Sequence, residues 1–227
     1  MYLSAQGQSF TANSALCSGW TSSEVLQSRW GSDYAANMQR LQSLAARTGQ
    51  TVLLYNGQPA AACYHAISSG HTEASQNVWG GQLPYLCGVD SAWDKFADGY
   101  EVTIQYSAEQ VRTALEELGL TPDDSPESWV GASTWDKAGY VRTLELCGQM
   151  VSGLEVRKAL DLRSTCFAIA WRGGQFVITT RGYGHGVGLS QYGAKAMAEG
   201  GAGWEDILGY YFPVSYTHLT LPTTERV

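Results

Sequence analysis

Between Arg181 and Ala198 the chain reads RGYGHGVGLSQYGAKAMA, with glycine at 182, 184, 186 and 188 and a histidine among them. A histidine can carry a proton near neutral pH, and glycines let a backbone come close to a ligand. The familiar glycine-rich chemistries nevertheless fail. A dinucleotide-binding G-x-G-x-x-G breaks at Leu189 when started from Gly184 and at Gln191 when started from Gly186. Gly188 and Gly193 have the separation of a phosphate-binding loop, but Ala194 stands where lysine is needed. A nucleophile elbow around Ser190 breaks at Tyr192. Phosphate cradling and serine hydrolysis are therefore disfavoured. In an extended strand, residues two apart share a face. The glycines would form a bare face open to another backbone or a ligand, with Tyr183, His185, Val187 and Leu189 on the other. Ser190 then caps a helix that carries Tyr192, Lys195 and Met197 and stops at Gly200-Gly201. On their own, these residues fit tight packing as well as a site.

The preceding elements have to position that stretch. Residues 1–20 are small and polar and read as a loop. From Ser22 a helical stretch begins, with Tyr34, Met38, Leu41 and Ala45 at helical spacing as a buried stripe and Gly49 as its stop. Thr51–Ala66 reads as a β-hairpin turning at Asn56-Gly57. Ser68–Leu86 has little periodicity and many hydrogen-bonding side chains, so it reads as a long ordered loop suited to a site. Gly99–Tyr106 is a strand. Ser107 and Gln110 form a capping box for a helix with Val111, Leu115 and Leu118 inside and Gly119 at its end. After the turn-rich connector Thr121–Ser128 come a strand over YVRTLELCG and a second capping box, Ser152 with Glu155. A hairpin then turns at Gly173-Gly174. Helices and strands alternate without a regular βαβ beat. The expected fold is therefore mixed α+β with β-hairpins, not a doubly wound parallel sheet.

Composition limits the partners. Of 227 residues, 44% are hydrophobic and 15% charged, which is globular rather than disordered. The net charge of -7 argues against nucleic acid, whose phosphates need a basic face. The five cysteines (17, 63, 87, 147 and 166) include no C-x-x-C pair, so isolated thiols are expected rather than a zinc ribbon, with one disulfide left open. No stretch is apolar and long enough to span a bilayer, and the N-terminus has no signal-peptide pattern. Thirteen tyrosines and eight tryptophans can pack a core or stack on sugar faces.

RGYGHGVGLSQYGAKAMA together with WEDILGYYFP (Trp204–Pro213) resembles the closing motif of the stage II sporulation protein D family. Three further segments match in order: CSGWTSSEVLQSRWG (Cys17–Gly31), Val52–Asp94, and SGLEVRKALDLRSTCFAI (Ser152–Ile169). The likeness covers residues 17–213 and is weakest over about 100–145, where an insert is expected. The resemblance implies an extracytoplasmic lytic transglycosylase that cuts peptide-stripped peptidoglycan glycan strands, leaving 1,6-anhydro-muramic products. One carboxyl suffices for that reaction, first as proton donor to the glycosidic oxygen and then as acceptor from the muramic C6 hydroxyl. The alternative is a non-catalytic glycan-binding module that enhances a cell-wall amidase.

In the family the catalytic glutamate precedes the segment matching Cys17, and no acidic residue here falls in that motif. Catalytic residues are accordingly expected outside this chain, with no lytic activity from residues 1–227, and the full-length parent is read as lying in the cell wall or associated with the membrane. Some relatives bind zinc through Cys and His at positions that hold Thr11 and Leu16 here, so no metal and no cofactor is expected. Residues 214–227 read as a non-native tail. The resemblance places Thr72, Tyr85, Asp94, Tyr192 and His185 around one glycan groove, with Tyr64, His65 and Ser69 lining it. Glu73, the other acidic residue near this groove, is assigned only to holding a loop.

Overall fold

A computed structural model describes residues 21–48 and 51–218. The chain forms two compact units, Met1–Thr51 with Leu219–Val227, and Val52–His218. The expected loop over residues 1–20, with Cys17, and the stop at Gly49 lie outside the described residues.

In the first unit, α1 (Ser23–Trp30) begins where the Ser22 hydroxyl accepts from Val25 N. A short 3₁₀ turn at Gly31–Asp33 leads into α2 (Tyr34–Thr48). The helical spacing is as read, but the stripe is not buried: Leu41 is 48% exposed and Ala45 is exposed. Two short helices joined by one turn have too little surface to cover it.

The second unit is mixed α+β, as expected. It opens with β1 (Val52–Tyr55), which turns through Asn56 (φ 50°) and Gly57 (φ 73°) into β2 (Gln58–Pro59). Both turn residues are left-handed, as an Asn-Gly hairpin requires. The hairpin is shorter than expected. Beyond Pro59 the chain leaves the ladder, and β3 (Tyr64–His65) pairs elsewhere. The expected long loop holds one short helix, α3 (Ser75–Trp79), and a 3₁₀ turn follows at Ala92–Phe96.

The larger core lies under two antiparallel sheets. In one, β9 (Gln175–Arg181) sits between β4 (Glu101–Tyr106) and β8 (Phe167–Arg172). In the other, β6 (Val141–Leu146) sits between β5 (Val130–Trp135) and β7 (Gln149–Ser152). Helices α4 (Ala108–Glu117) and α5 (Gly153–Ala159) start at the two predicted capping boxes, both formed in full. Val111, Leu115, Leu144, Phe176 and Ile178 are buried together, and Trp129 stacks on Phe176 at 5.6 Å. The weakly matched stretch 100–145 is thus woven into this core, since β4 pairs with β9 along its whole length.

A second core gathers Leu53, Tyr85, Leu86, Val187, Ile207, Tyr211 and Phe212. It lies beside β10 (Leu189–Ser190), α6 (Gln191–Glu199) and α7 (Trp204–Tyr211). After Pro213 the chain continues as β11 (Tyr216–His218), antiparallel to β1. The tail set apart in the sequence therefore contributes a strand to this unit.

Candidate functional site

The glycine stretch is the frame of the site, but it is not the extended strand its alternation suggests. Gly182, Gly184, Gly186 and Gly188 have φ of 77°, 117°, 80° and 75°, a conformation L side chains rarely adopt. The chain therefore kinks at every second residue, and the intervening side chains do not share a face. Val187 is buried, while Tyr183 is half exposed with the Arg163 guanidinium 4.4 Å over its ring. The close approach read from the glycines does occur. A Cβ at Gly188 would collide with Cys63 O, and one at Gly184 would stand 2.7 Å from His65 Cβ.

Segment 66–75 lies between this stretch and residues 87–91. On one side Tyr183 N donates to Ile67 O (2.7 Å) and Glu73 N to Gly186 O (2.7 Å). On the other, Thr72 N donates to Val89 O (2.8 Å) and Ser91 N to Gly70 O (3.0 Å). β3 pairs parallel with β10 at Tyr64↔Leu189 and Ser190↔His65, completing the frame.

The residues assigned to one groove have separate surroundings. Asp94 is fully buried and accepts from Ser68 N (2.9 Å), the Ser68 hydroxyl and the Ser190 hydroxyl (2.8 Å). Ser190 in turn accepts from Gly193 N as the N-cap of α6. Asp94 therefore ties a loop, a 3₁₀ turn and a helix start together and presents no oxygen to a ligand. Tyr85 is buried too; its hydroxyl accepts from Ala61 N (3.1 Å) and its ring lies 5.0 Å from that of Tyr55. Thr72 Oγ1 accepts from Val89 N (2.9 Å), and the residue lines a cavity of 240 Å³ with His71, Glu73, Asn77, Asp136 and Lys137. His185 lines a smaller cavity, of 80 Å³, with Glu73, Asn77, Arg142 and Arg157. Tyr192 is exposed and lines a third, with Trp93 and Phe96. Thr72 and His185 thus reach neighbouring clefts that meet at Glu73 and Asn77, while Tyr192 faces another and Tyr85 and Asp94 support from within. Of the residues read as further lining, Tyr64 is exposed, whereas His65 and Ser69 are buried.

Glu73 holds this junction. Its Oε1 accepts from Ala74 N and Asn77 Nδ2, both at 2.7 Å. Arg142 Nη2 lies 3.0 Å from Glu73 Oε2 and 2.7 Å from Asp136 Oδ2. Burial, and then the Asp136 carboxyl beside it, push the Glu73 carboxyl up to about 7. The loop-holding role read from sequence is what the geometry gives it. Sequence reading passes over Asp136 and Arg142, because both lie in the stretch of weakest resemblance. The DKAG turn (Asp136–Gly139), between two strand-like runs, is the available signal.

His185 lies half-buried within the glycine stretch and His65 is buried against it, and burial lowers the proton affinity of each. Val187 N donates to His185 Nδ1 (3.0 Å), and burial followed by the Arg157 charge lowers its affinity for a proton. His65 Nδ1 lies 3.2 Å from Val187 O, and its Nε2 is buried without a partner among the described residues. Burial is the main cause that pushes His65 down to about 4. Trp79 covers His185 at 5.2 Å between ring centroids and is itself half exposed. Among the described residues, no three His, Cys, Asp or Glu side chains converge as metal ligands. Cys63, Cys87, Cys147 and Cys166 are free thiols.

No protein-family model matches the chain. Among curated proteins it is 36% identical to stage II sporulation protein D of Bacillus subtilis (strain 168) over 194 residues, 85% of this chain and 55% of that protein. It is 37% identical, with the same coverage, to stage II sporulation protein D of Bacillus amyloliquefaciens. The chain belongs to the stage II sporulation protein D family. This sporulation protein D homologue spans about half the length of those curated relatives. It is also 26% identical to an amidase enhancer of Bacillus subtilis (strain 168), over 74% of this chain and 31% of that protein. The alignment with the sporulation proteins is long enough to take in most of the frame and both clefts.

Proposed function

We propose that this sporulation protein D homologue works outside the cytoplasm at the bacterial cell wall, where it holds peptidoglycan glycan strands as the groove portion of a lytic transglycosylase. The carrying observation is the pair of polar clefts that meet at Glu73. Asn77, Arg142 and Lys137 line these clefts and carry donors for acetamido carbonyls and sugar hydroxyls. Both Glu73 oxygens are already held, by Ala74 N, Asn77 Nδ2 and Arg142 Nη2, so the junction grips rather than cuts. A second reading, a glycan-binding module that enhances a cell-wall amidase, draws support from the amidase-enhancer match.

Co-sedimentation with peptide-stripped glycan strands, with mass spectrometry of the soluble products, tests both. Residues 1–227 are expected to bind without releasing 1,6-anhydro sugars. Arg142→Ala is expected to weaken binding about tenfold, the value of one charge-assisted hydrogen bond. No binding by the unaltered chain would overturn the proposal. Stimulation of an amidase, with no anhydro product from any longer form of the protein, would favour the second reading.

A further inference from the structure

Lys95, Tyr100, Trp135, Gly139, Ala168 and Arg181 are among the residues around a cavity of 560 Å³ that shares no wall with the clefts at Glu73. Its wall holds two cations and no carboxylate, in a chain of net charge -7. Both cations are set in place. A Cβ at Gly70 (φ 104°) would collide with Lys95 Cε, so the lysine stem lies along bare backbone. Arg181 Nε donates to Glu101 Oε2 (2.8 Å), which holds the guanidinium by one nitrogen. Its Nη1 and Nη2, Lys95 Nζ and Trp135 Nε1 have no hydrogen-bond partner among the described residues. These side-chain groups are all donors, so an occupant has to bring acceptors. Glu101 offsets one of the two cations, and a single negative charge on the occupant balances the other.

The cavity also lies against an open strand edge. β8 pairs with β9 alone, and Phe167 and Ala168 at its start line the space. Arg181 N donates to Cys166 O (2.8 Å). In an antiparallel ladder the next residue, Phe167, and then Ile169 turn their N–H and C=O away from β9, to the open side. A strand added there antiparallel to β8 ends beside Cys166, and therefore beside Arg181. Ala168 stands opposite Thr179 and shares the face of Arg181, where it adds only a methyl group.

We propose that this cavity captures the C-terminus of a protein partner, with an extended L-peptide paired to the edge of β8 and its terminal carboxylate on Arg181 and Lys95. A planar carboxylate matches the guanidinium fork, and the ammonium and the indole N–H add further donors. The backbone edge supplies affinity and the alternate side chains supply selectivity. A neutral sugar brings no charge to the two cations. The D-residues of a wall stem peptide reverse the chirality that an extended ladder of L-residues requires.

Panning the 227-residue chain against a phage library of random heptapeptides with free C-termini, then titrating the enriched peptide by fluorescence polarisation, tests it. The peptide acid is expected to bind at least tenfold more tightly than its C-terminal amide. Arg181→Gln and Lys95→Gln are each expected to weaken binding about tenfold, the size of one charge-assisted hydrogen bond. Both side chains are exposed, so the melting temperature stays unchanged. N-methylation of successive peptide amides is expected to abolish binding at alternate positions only. Arg142→Ala, at the Glu73 junction, is expected to leave peptide binding as it was. No enriched peptide, equal affinity of acid and amide, or indifference to methylation at every position would each overturn the proposal. Displacement of the peptide by peptide-stripped glycan strands, or by a stem peptide ending in D-alanyl-D-alanine, would assign the cavity to the wall itself and overturn it too.

Discussion

At the scale of single residues, buried carboxyls act here through what they hold. Asp94 is fully buried among hydroxyls and an amide, so its first effect is on folding. Asp94→Asn swaps one acceptor oxygen for a donor and leaves Ser68 or Ser190 facing an N–H. It is expected to cost about 3 kcal/mol, read as a shift in the urea midpoint at unchanged slope. A match to a family motif is what points Asp94 at the groove, and such a match fixes position in the chain but not the direction of a side chain. Tyr85 departs from its expected place for the same reason: its hydroxyl serves Ala61 N. The loop-holding role of Glu73 is read from its place in the polar segment GHTEASQN, but the short helix at Ser75 and the bond from Asn77 are not. Its partners Asp136 and Arg142 are far away in sequence, and nothing local announces them.

At the scale of elements, the helix starts are the most legible features. Ser107 with Gln110 and Ser152 with Glu155 are complete local units, and both boxes form as read. The glycine stretch is legible in part. Close approach follows from the missing Cβ atoms, but alternation suggests extension, whereas every second residue lies in the left-handed region. A period of two in sequence states which positions are special without stating their φ. Gly188→Ala places a side chain both at φ +75° and against Cys63 O. It is expected to cost about 3 kcal/mol or more, seen as a lowered melting temperature and loss of near-ultraviolet dichroism. The exposed stripe of α2 shows the opposite limit: helical spacing is right, but periodicity names the apolar face without supplying what covers it.

At the scale of the whole molecule, two buried groups set opposing pH limits. Glu73, raised from 4.5 to about 7, stabilises the fold below 4.5 and loses that contribution as pH climbs through 7. His65, lowered from 6.5 to about 4, stabilises the fold above 6.5 and loses that contribution as pH falls through 4. Between 4.5 and 6.5 the slopes cancel, so their joint contribution is flat there and falls on either side. The groups facing Glu73 are Asp136 and Arg142, with His185 and Arg157 across one cleft and His71 and Lys137 across the other. Glu73→Gln is expected to remove the decline above pH 6.5 and to turn the plateau into a rise with pH up to 6.5 under His65 alone, as measured by melting temperature across the range bounded by the two shifted groups. The frame also has a consequence in time. His65 meets Val187 across 122 positions, and β3 pairs with β10 over a similar span. Closing so long a loop costs entropy before any contact rewards it. During synthesis, then, the segment around His65 must wait on the ribosome for its opposite bank, and a nascent chain stalled before Ser190 leaves that side without its partner strand.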